Sequence, residues 1–183
     1  TVVLHSAAGG VGLIAGQWAK HLGVTVIGTV GSNDKIALAK ENGCAHVLNS
    51  RDADWPKQVR ELTGGQGVPV VYDSIGKDTF PQSLDVLSPR GMFVSFGSAS
   101  GPIAAFDIGL LAQKGSLFAT RPTLFTYAAT RPALLAMAED MFKLVAAGKI
   151  KSDARQRFAL KDAAAAHRAL ESRGTTGATV LIP

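Results

Sequence analysis

At 183 residues, with 46% hydrophobic and 18% charged side chains, the chain has an ordinary globular composition and room for one full domain plus an appendage. The net charge of +5 is scattered rather than gathered into a run, which argues against nucleic acid as the main partner and suits a phosphate-bearing ligand. No apolar stretch reaches the roughly 20 residues of a membrane helix, no signal-peptide pattern opens the chain, and the lone Cys44 excludes an internal disulfide framework, can build no thiolate zinc site by itself and suits a reducing cytoplasm.

The chain opens on an apolar run, Val2-Val3-Leu4, that breaks through His5-Ser6-Ala7-Ala8 into Gly9-Gly10-Val11-Gly12 and then a helical pattern. Strand, tight turn and helix in this order mark the place where a doubly wound α/β domain binds the pyrophosphate of a dinucleotide. Gly9 lets backbone approach phosphate oxygens, Gly12 lets the helix pack closely on the strand, and the amides at the helix start are free donors. The G-x-G-x-x-G fingerprint is incomplete, because Ala7 stands in its first position. A plain loop at Gly9-Gly10 is the alternative.

Strands and helices then alternate with little slack. Residues 25–30 read as a second buried strand, 33–42 as a helix stopped by Gly43, and 46–49 as a third strand. Asp54 is placed to cap a helix carrying Val59 and Leu62 that ends at Gly64-Gly65. Residues 68–73 form a fourth strand, whose Pro69 lies near its start. Phe80, Leu84 and Leu87 fall on one helical face before a Pro89-Arg90-Gly91 turn. Residues 92–96 make a fifth strand, Ile108, Leu111 and Ala112 lie on a short helix, and residues 116–119 supply a sixth strand. Near-continuous apolar strands between amphipathic helices imply a parallel sheet covered on both faces, in the order 3-2-1-4-5-6.

The pattern changes at Arg121-Pro122. A long helix aligns Leu134, Ala138, Met141, Phe142 and Val145 and ends near Gly148; a strand over 156–160, a helix over 161–172 and a strand over 179–182 follow. These late strands have no obvious partners in the chain, and unpaired edges are costly. Their partners are therefore expected in a segment outside the chain, which reads as the back part of a larger enzyme.

An acidic residue about 20 positions beyond the glycines usually holds the ribose 2′-hydroxyl of NAD. Here that place reads Thr29-Val30-Gly31-Ser32, and Asp34 comes late enough to cap the next helix instead. With Lys35 and Arg51 at its rim, such a crevice suits a 2′-phosphate and hence NADPH, although either cation alone also fits a solvated surface.

Taken together, Ala7-Ala8-Gly9-Gly10-Val11-Gly12, Val71-Tyr72-Asp73-Ser74-Ile75-Gly76, Val94-Ser95-Phe96-Gly97 with Ser100-Gly101, Lys114-Gly115-Ser116-Leu117 and Thr120-Arg121-Pro122 resemble the NADPH:quinone oxidoreductases, the zeta-crystallin-like, zinc-free branch of the medium-chain dehydrogenase/reductase superfamily. The resemblance runs through Ala166-His167 to Glu171-Ser172-Arg173. It implies an NADP(H)-binding Rossmann domain over residues 1–120, and over 121–183 the last part of a GroES-like catalytic domain whose first part lies upstream. It also implies that Gly10 and Val11 contact the pyrophosphate, that Gly31, Ser32 and Lys35 hold the 2′-phosphate region, and that Ile75 and the Phe96-Gly97-Ser98 turn line the nicotinamide side. Arg121 and Thr123 lie where such enzymes close the crevice, and Arg173 is a further phosphate ligand. The family pattern has tyrosine where this chain has Ser50, so a stacking or phenolic contact is lost and Arg51 is the compensating candidate.

The implied reaction is hydride transfer from NADPH to a quinone or other conjugated carbonyl, with orientation and a dry cleft supplied by protein. The polar residues near the acceptor come mainly from the upstream part, so no residue here is assigned as catalytic. His5, His21, His46 and His167 show no metal-ligand spacing, so surface or core roles are expected of them, and zinc is not expected. His5, at the end of the first strand, is a candidate to face the cofactor, and Tyr127 borders the substrate pocket or packs as an ordinary aromatic. Asp73 and Ser74 have no G-x-S-x-G elbow beside them, which removes a hydrolase. A non-catalytic NADP(H)-binding module and an enoyl-thioester reductase remain as alternatives. The exposed edge of the sixth strand is expected to form a homodimer by sheet extension.

Overall fold

The computed structural model describes residues 1–183. Its six-stranded sheet contains β1 (Val2–Leu4), β2 (Val26–Val30), β3 (His46–Asn49), β4 (Val68–Asp73), β5 (Leu87–Ser95) and β6 (Phe118–Thr120). The order is β3-β2-β1-β4-β5-β6, with neighbouring strands parallel, as the alternating pattern requires. Helices α1 (Gly10–His21) and α2 (Ile36–Glu41) cover one face over β1–β3, and α3 (Trp55–Leu62), α4 (Phe80–Asp85) and α5 (Gly109–Gln113) cover the other. Over β4–β6 the first of these faces departs from the expected two-sided cover, with Tyr72, Met92 and Phe118 exposed.

Successive strand side chains point to opposite faces, and the core divides accordingly. Val3, Ile27, Val71 and Phe93 pack beneath Trp55 and Val59 of α3 and Phe80 and Leu84 of α4. Leu4, Val26, Val30 and Val47 pack with Ala39 of α2 on the other face. Burying each large aliphatic side chain here contributes on the order of 1.5–3 kcal/mol, which fixes the strand ends that carry the site.

Several boundaries differ from expectation. Leu87 is not on the helix with Phe80 and Leu84: it opens β5 and pairs with Val68, and pairing resumes at Met92 opposite Val70. Residues 89–91 therefore bulge within β5 instead of turning before it, with Arg90 at φ +60°. The helix expected over 33–42 begins as a tight 3₁₀ turn, Asn33–Lys35, before α2. Asp54 occupies the cap position of α3, but its side chain accepts from Gln58 Nε2 at 3.0 Å instead of capping backbone.

Beyond β6 come α6 (Leu124–Tyr127), α7 (Arg131–Ala146), β7 (Ala154–Ala159), α8 (Ala163–Glu171) and β8 (Ala178–Ile182). The expectation that the late strands lack partners in the chain is corrected: β7 and β8 pair with each other, in parallel, with α8 as the crossover a parallel pair needs. This pair abuts the first turn of the sheet domain. Gly177 donates to the Ala8 carbonyl at 2.9 Å, and the Gln17 side chain exchanges two hydrogen bonds with the Lys151 backbone, at 3.0 and 2.8 Å. No residue of α7 is buried.

Cys44 lies buried beside β2, and burial pushes its thiol up to about 11. Because the thiolate is the nucleophile, native protein is expected to resist iodoacetamide at pH 8 and to react fully once unfolded. Mass spectrometry checks this, and rapid alkylation of native protein would contradict the burial.

Candidate active site: a dinucleotide cavity at the strand switch

The sheet reverses direction of growth between β1 and β4, and a crevice opens at that point beyond the carboxyl ends of the strands. It forms a cavity of about 360 Å³ whose walls include Ser6, Gly9 and Gly10 from the first turn, Gly31, Ser32 and Lys35 after β2, Ser50 and Arg51 after β3, Ile75 after β4, and Arg173 from the C-terminal segment. Nine residues singled out from sequence, all of these except Ser6, thus meet in one place.

The first turn is built from backbone. Ser6 adopts φ +57°, its carbonyl accepts from Gly9 N at 2.9 Å, and Ala7 N ties the turn to the Thr29 carbonyl at 2.9 Å. Gly9 caps α1, whose first turn carries no acid, and the Val11 and Gly12 amides find no acceptor in the chain. Free amides at the positive end of a twelve-residue helix form an anion site. Gly12 lies buried beneath: a Cβ there would stand 2.3 Å from the Ser6 carbonyl oxygen and 2.7 Å from Ala7 backbone. The Val11 side chain is 64% exposed.

The other end of the cavity is cationic. Lys35 Nζ donates to the Arg173 and Thr175 carbonyls, at 2.7 and 3.1 Å, which fastens the C-terminal segment over the opening. Arg173 pairs with Asp78, the one acid in the wall, at 3.6 Å. The Arg51 side chain has no hydrogen-bond or ion-pair partner, and its Nε is 4.0 Å from the position of a Cβ on Gly31. Ser50 gives its hydroxyl to the Val30 carbonyl at 3.2 Å. Asp34 stays outside the wall, exposed, its carboxyl held below the ordinary value chiefly by the Ser32 side chain.

A second, more apolar cavity of about 590 Å³ lies past β5, lined by Phe80, Phe93, Gly97, Ser98, Ile103 and Arg121 among others. Arg121 Nη1 donates to the Ser95 and Gly97 carbonyls at 3.1 and 2.7 Å, which pins the turn after β5. Val11, Gly12, Phe96, Thr123 and Tyr127 line neither cavity. Tyr127 is 63% exposed, so it does not pack as a core aromatic.

His5 does not face the cavity. It is fully buried edge-on against Trp55, with Nδ1 2.7 Å from Thr29 Oγ1 and Nε2 3.0 Å from Ser83 Oγ. Asp73 Oδ2 is 4.0 Å away. Burial depresses the imidazole below its ordinary value against the pull of Asp73, so His5 is neutral. The unfolded chain then binds more protons below the ordinary histidine value of 6.5. His5 contributes stability that is present above pH 6.5 and lost as pH falls below it. Urea unfolding at pH 7.5 and 5.5 is expected to show that loss, and a His5→Phe variant is expected to lose less between the two.

Arg51 was legible as a rim cation and as the candidate to compensate for Ser50, whereas Asp78 and Thr175 carried no local signal, since it is the tertiary approach of 173–177 that brings Thr175 to the wall and Arg173 to Asp78. No three His, Cys, Asp or Glu side chains gather as metal ligands.

The comparisons agree with this geometry. Residues 10–140 match the family described as zinc-binding dehydrogenase. A quinone oxidoreductase of Pseudomonas aeruginosa is 52% identical over 183 residues, all of this chain and 56% of that protein. A 2-haloacrylate reductase of a Burkholderia species is 47% identical and is covered to 55%. The crystal structure of Escherichia coli quinone oxidoreductase complexed with NADPH superposes on the whole chain with a TM-score of 0.97 at 49% identity, covering 56% of its length. The chain thus spans a little over half the length of these relatives, and with its sheet order, its glycine turn and its cation-lined crevice it belongs to the zinc-binding dehydrogenase family.

Proposed function

We propose that the chain supplies the NADPH-binding part of an oxidoreductase that passes hydride to quinones or related conjugated carbonyl compounds. The observation that carries this reading is the cavity wall: Gly9 and Gly10, at the start of α1, form one end, and Lys35, Arg51 and Arg173 surround the other, with no acid directly after β2. That donor set fits a diphosphate joined to a 2′-phosphorylated ribose.

In this assignment the Val11 and Gly12 amides hold the diphosphate, with Gly9 and Gly10 keeping the approach clear. Gly31, Ser32, Lys35, Ser50, Arg51 and Arg173 surround the 2′-phosphate. Ile75 and the Phe96-Gly97-Ser98 turn flank the nicotinamide, and Arg121 keeps that turn in place through its carbonyls. When bound, NADPH supplies the hydride and becomes NADP⁺. The chain's own residues orient it and exclude water from one side. Residues 121–183 act as the C-terminal part of a catalytic unit completed elsewhere in the protein.

The 2-haloacrylate reductase relative keeps conjugated acids within the acceptor class, and the likeness to an enoyl reductase at 29% identity keeps thioesters as the second reading. A non-catalytic NADP(H) module is the reading without turnover. The strand β6, last in the sheet and exposed along its length, is the edge for a homodimer. A cytoplasmic setting goes with the single reduced cysteine; no helix is long and apolar enough to cross a membrane.

Calorimetric titration of the full-length protein with NADPH and NADH, followed by NADPH oxidation with 1,4-benzoquinone and with a crotonyl thioester, tests the reading. Preference for NADPH with quinone turnover is expected. Thioester turnover alone selects the enoyl reductase, and binding without any turnover selects the module.

A further inference from the structure

Five polar side chains lie in the core with almost no exposure: His5, Thr29, Asp73, Thr79 and Ser83. Nothing in the proposed chemistry uses them, and a buried polar group without a compensating bond costs about 1–3 kcal/mol. They satisfy one another instead, and no buried side-chain nitrogen or oxygen is left without a partner.

The donors converge on Asp73. Asp73 Oδ1 accepts from the Ile75 and Gly76 amides at 2.7 and 2.9 Å, and Oδ2 accepts from Thr79 Oγ1 at 2.7 Å and Ser83 Oγ at 3.1 Å. Ser83 Oγ has one proton and two acceptors, the Thr79 carbonyl at 2.8 Å and Asp73 Oδ2 at 3.1 Å. In giving it to either it accepts from His5 Nε2, which leaves Nδ1 to accept from the Thr29 hydroxyl; Thr79, whose hydroxyl donates to Asp73 Oδ2, joins Ser83 to Asp73 in both cases. The neutral, Nε2-protonated tautomer meets every one of these demands. A continuous chain of hydrogen bonds therefore runs from Thr29, in β2, through the first strand and α4 to the loop that carries Ile75.

Both ends of this chain are on the wall of the dinucleotide cavity: Thr29 at the β2 end, and Ile75 with Thr79 at the β4 end. The Ile75 carbonyl is held from the opposite side by the Ser100 amide and hydroxyl, each at 2.8 Å. The loop is thus gripped at its amide by Asp73 and at its carbonyl by Ser100.

We infer that the buried relay Thr29–His5–Ser83–Asp73 is a positioning device that fixes the Ile75 loop relative to β2, so that the nicotinamide and adenosine ends of a bound NADPH are held at a set separation. This inference rests on the NADPH reading of the cavity. His5, Ser83 and Asp73 are positioning residues, since none lines the cavity and each acts through the Ile75 amide.

The test uses the full-length protein with Ser83→Ala, His5→Asn and the double variant, read by amide hydrogen exchange at Ile75 and Gly76 without cofactor and by steady-state kinetics. Exchange is expected to quicken about tenfold in each variant, and kcat to fall about tenfold while KM for NADPH stays within about twofold, because a small misplacement affects the reacting geometry more than binding. The double variant is expected to be no worse than the poorer single one, as for members of one network. Should His5→Asn fail to fold, Ser83→Ala alone decides. Unchanged exchange overturns the relay. Faster exchange with unchanged kcat, or a lower melting temperature alone, overturns its positioning role. Wild-type protein that neither binds nor oxidises NADPH overturns the functional reading itself, and the exchange measurement, which needs no cofactor, keeps the two failures apart.

Discussion

Gly12→Ala is expected to abolish NADPH binding and to destabilise the fold by about 3 kcal/mol, the upper end of what overpacking costs. The reason is that the new methyl has nowhere to go. It would meet the Ser6 carbonyl oxygen at 2.3 Å and Ala7 backbone at 2.7 Å, and these atoms belong to the turn itself rather than to a side chain that can swing aside. The helix must lift from β1, which moves the Val11 and Gly12 amides away from the point at which they converge. Gly10→Ala is the informative comparison. Its Cβ would meet the Gly177 carbonyl oxygen at 3.5 Å, an ordinary contact, so stability is expected to stay within about 0.5 kcal/mol of wild type, the usual range for substitutions away from special features. Urea unfolding and calorimetric titration of both variants separate the two effects. A Gly12→Ala protein as stable as wild type would mean that α1 slides off β1 without cost, and that the close approach is not what aims its amides.

The sheet order was legible because apolar runs such as Val26-Ile27, in a strand buried at all five positions, admit few other readings, and because Val70-Val71 keeps the pattern although β4 leaves Tyr72 exposed. The β7–β8 pair was not, because its strands are half exposed and alternate in burial, and an alternating run states that a partner exists without saying which. His5 falls among the core roles expected for the histidines, and its candidacy to face the cofactor fails for a related reason. A polar residue at the end of a first strand reads as lining the cleft, and only the arrival of Trp55 from α3 and Ser83 from α4 turns that position into core. The phosphate end was legible as a charge pattern, yet the division of labour among its cations depends on residues 173–177, which reach the cavity from more than a hundred positions away.

That division of labour yields opposite expectations for two neighbouring charges. Arg51→Ala is expected to raise Kd for NADPH about tenfold, close to 1.4 kcal/mol, and to leave Kd for NADH nearly unchanged. Arg51 is the cation with no partner in the chain, so all of its donors are open to a 2′-phosphate, and its exposure keeps the effect at the low end for a charge-assisted hydrogen bond. Lys35 differs, since its ammonium already serves two carbonyls; Lys35→Met is expected to weaken both nucleotides by loosening residues 173–175. Asp78→Asn should tighten NADPH about threefold, because it removes the wall's one carboxylate and frees Arg173 from its 3.6 Å ion pair. The gain should shrink in 0.5 M salt, where exposed charges are screened. Side-by-side titrations with NADPH and NADH decide the matter. Equal losses for the two nucleotides in Arg51→Ala would show that the guanidinium does not discriminate at the ribose, and the selectivity left unsupported by Ser50 would then have to come from Arg173, the cation that Asp78 holds.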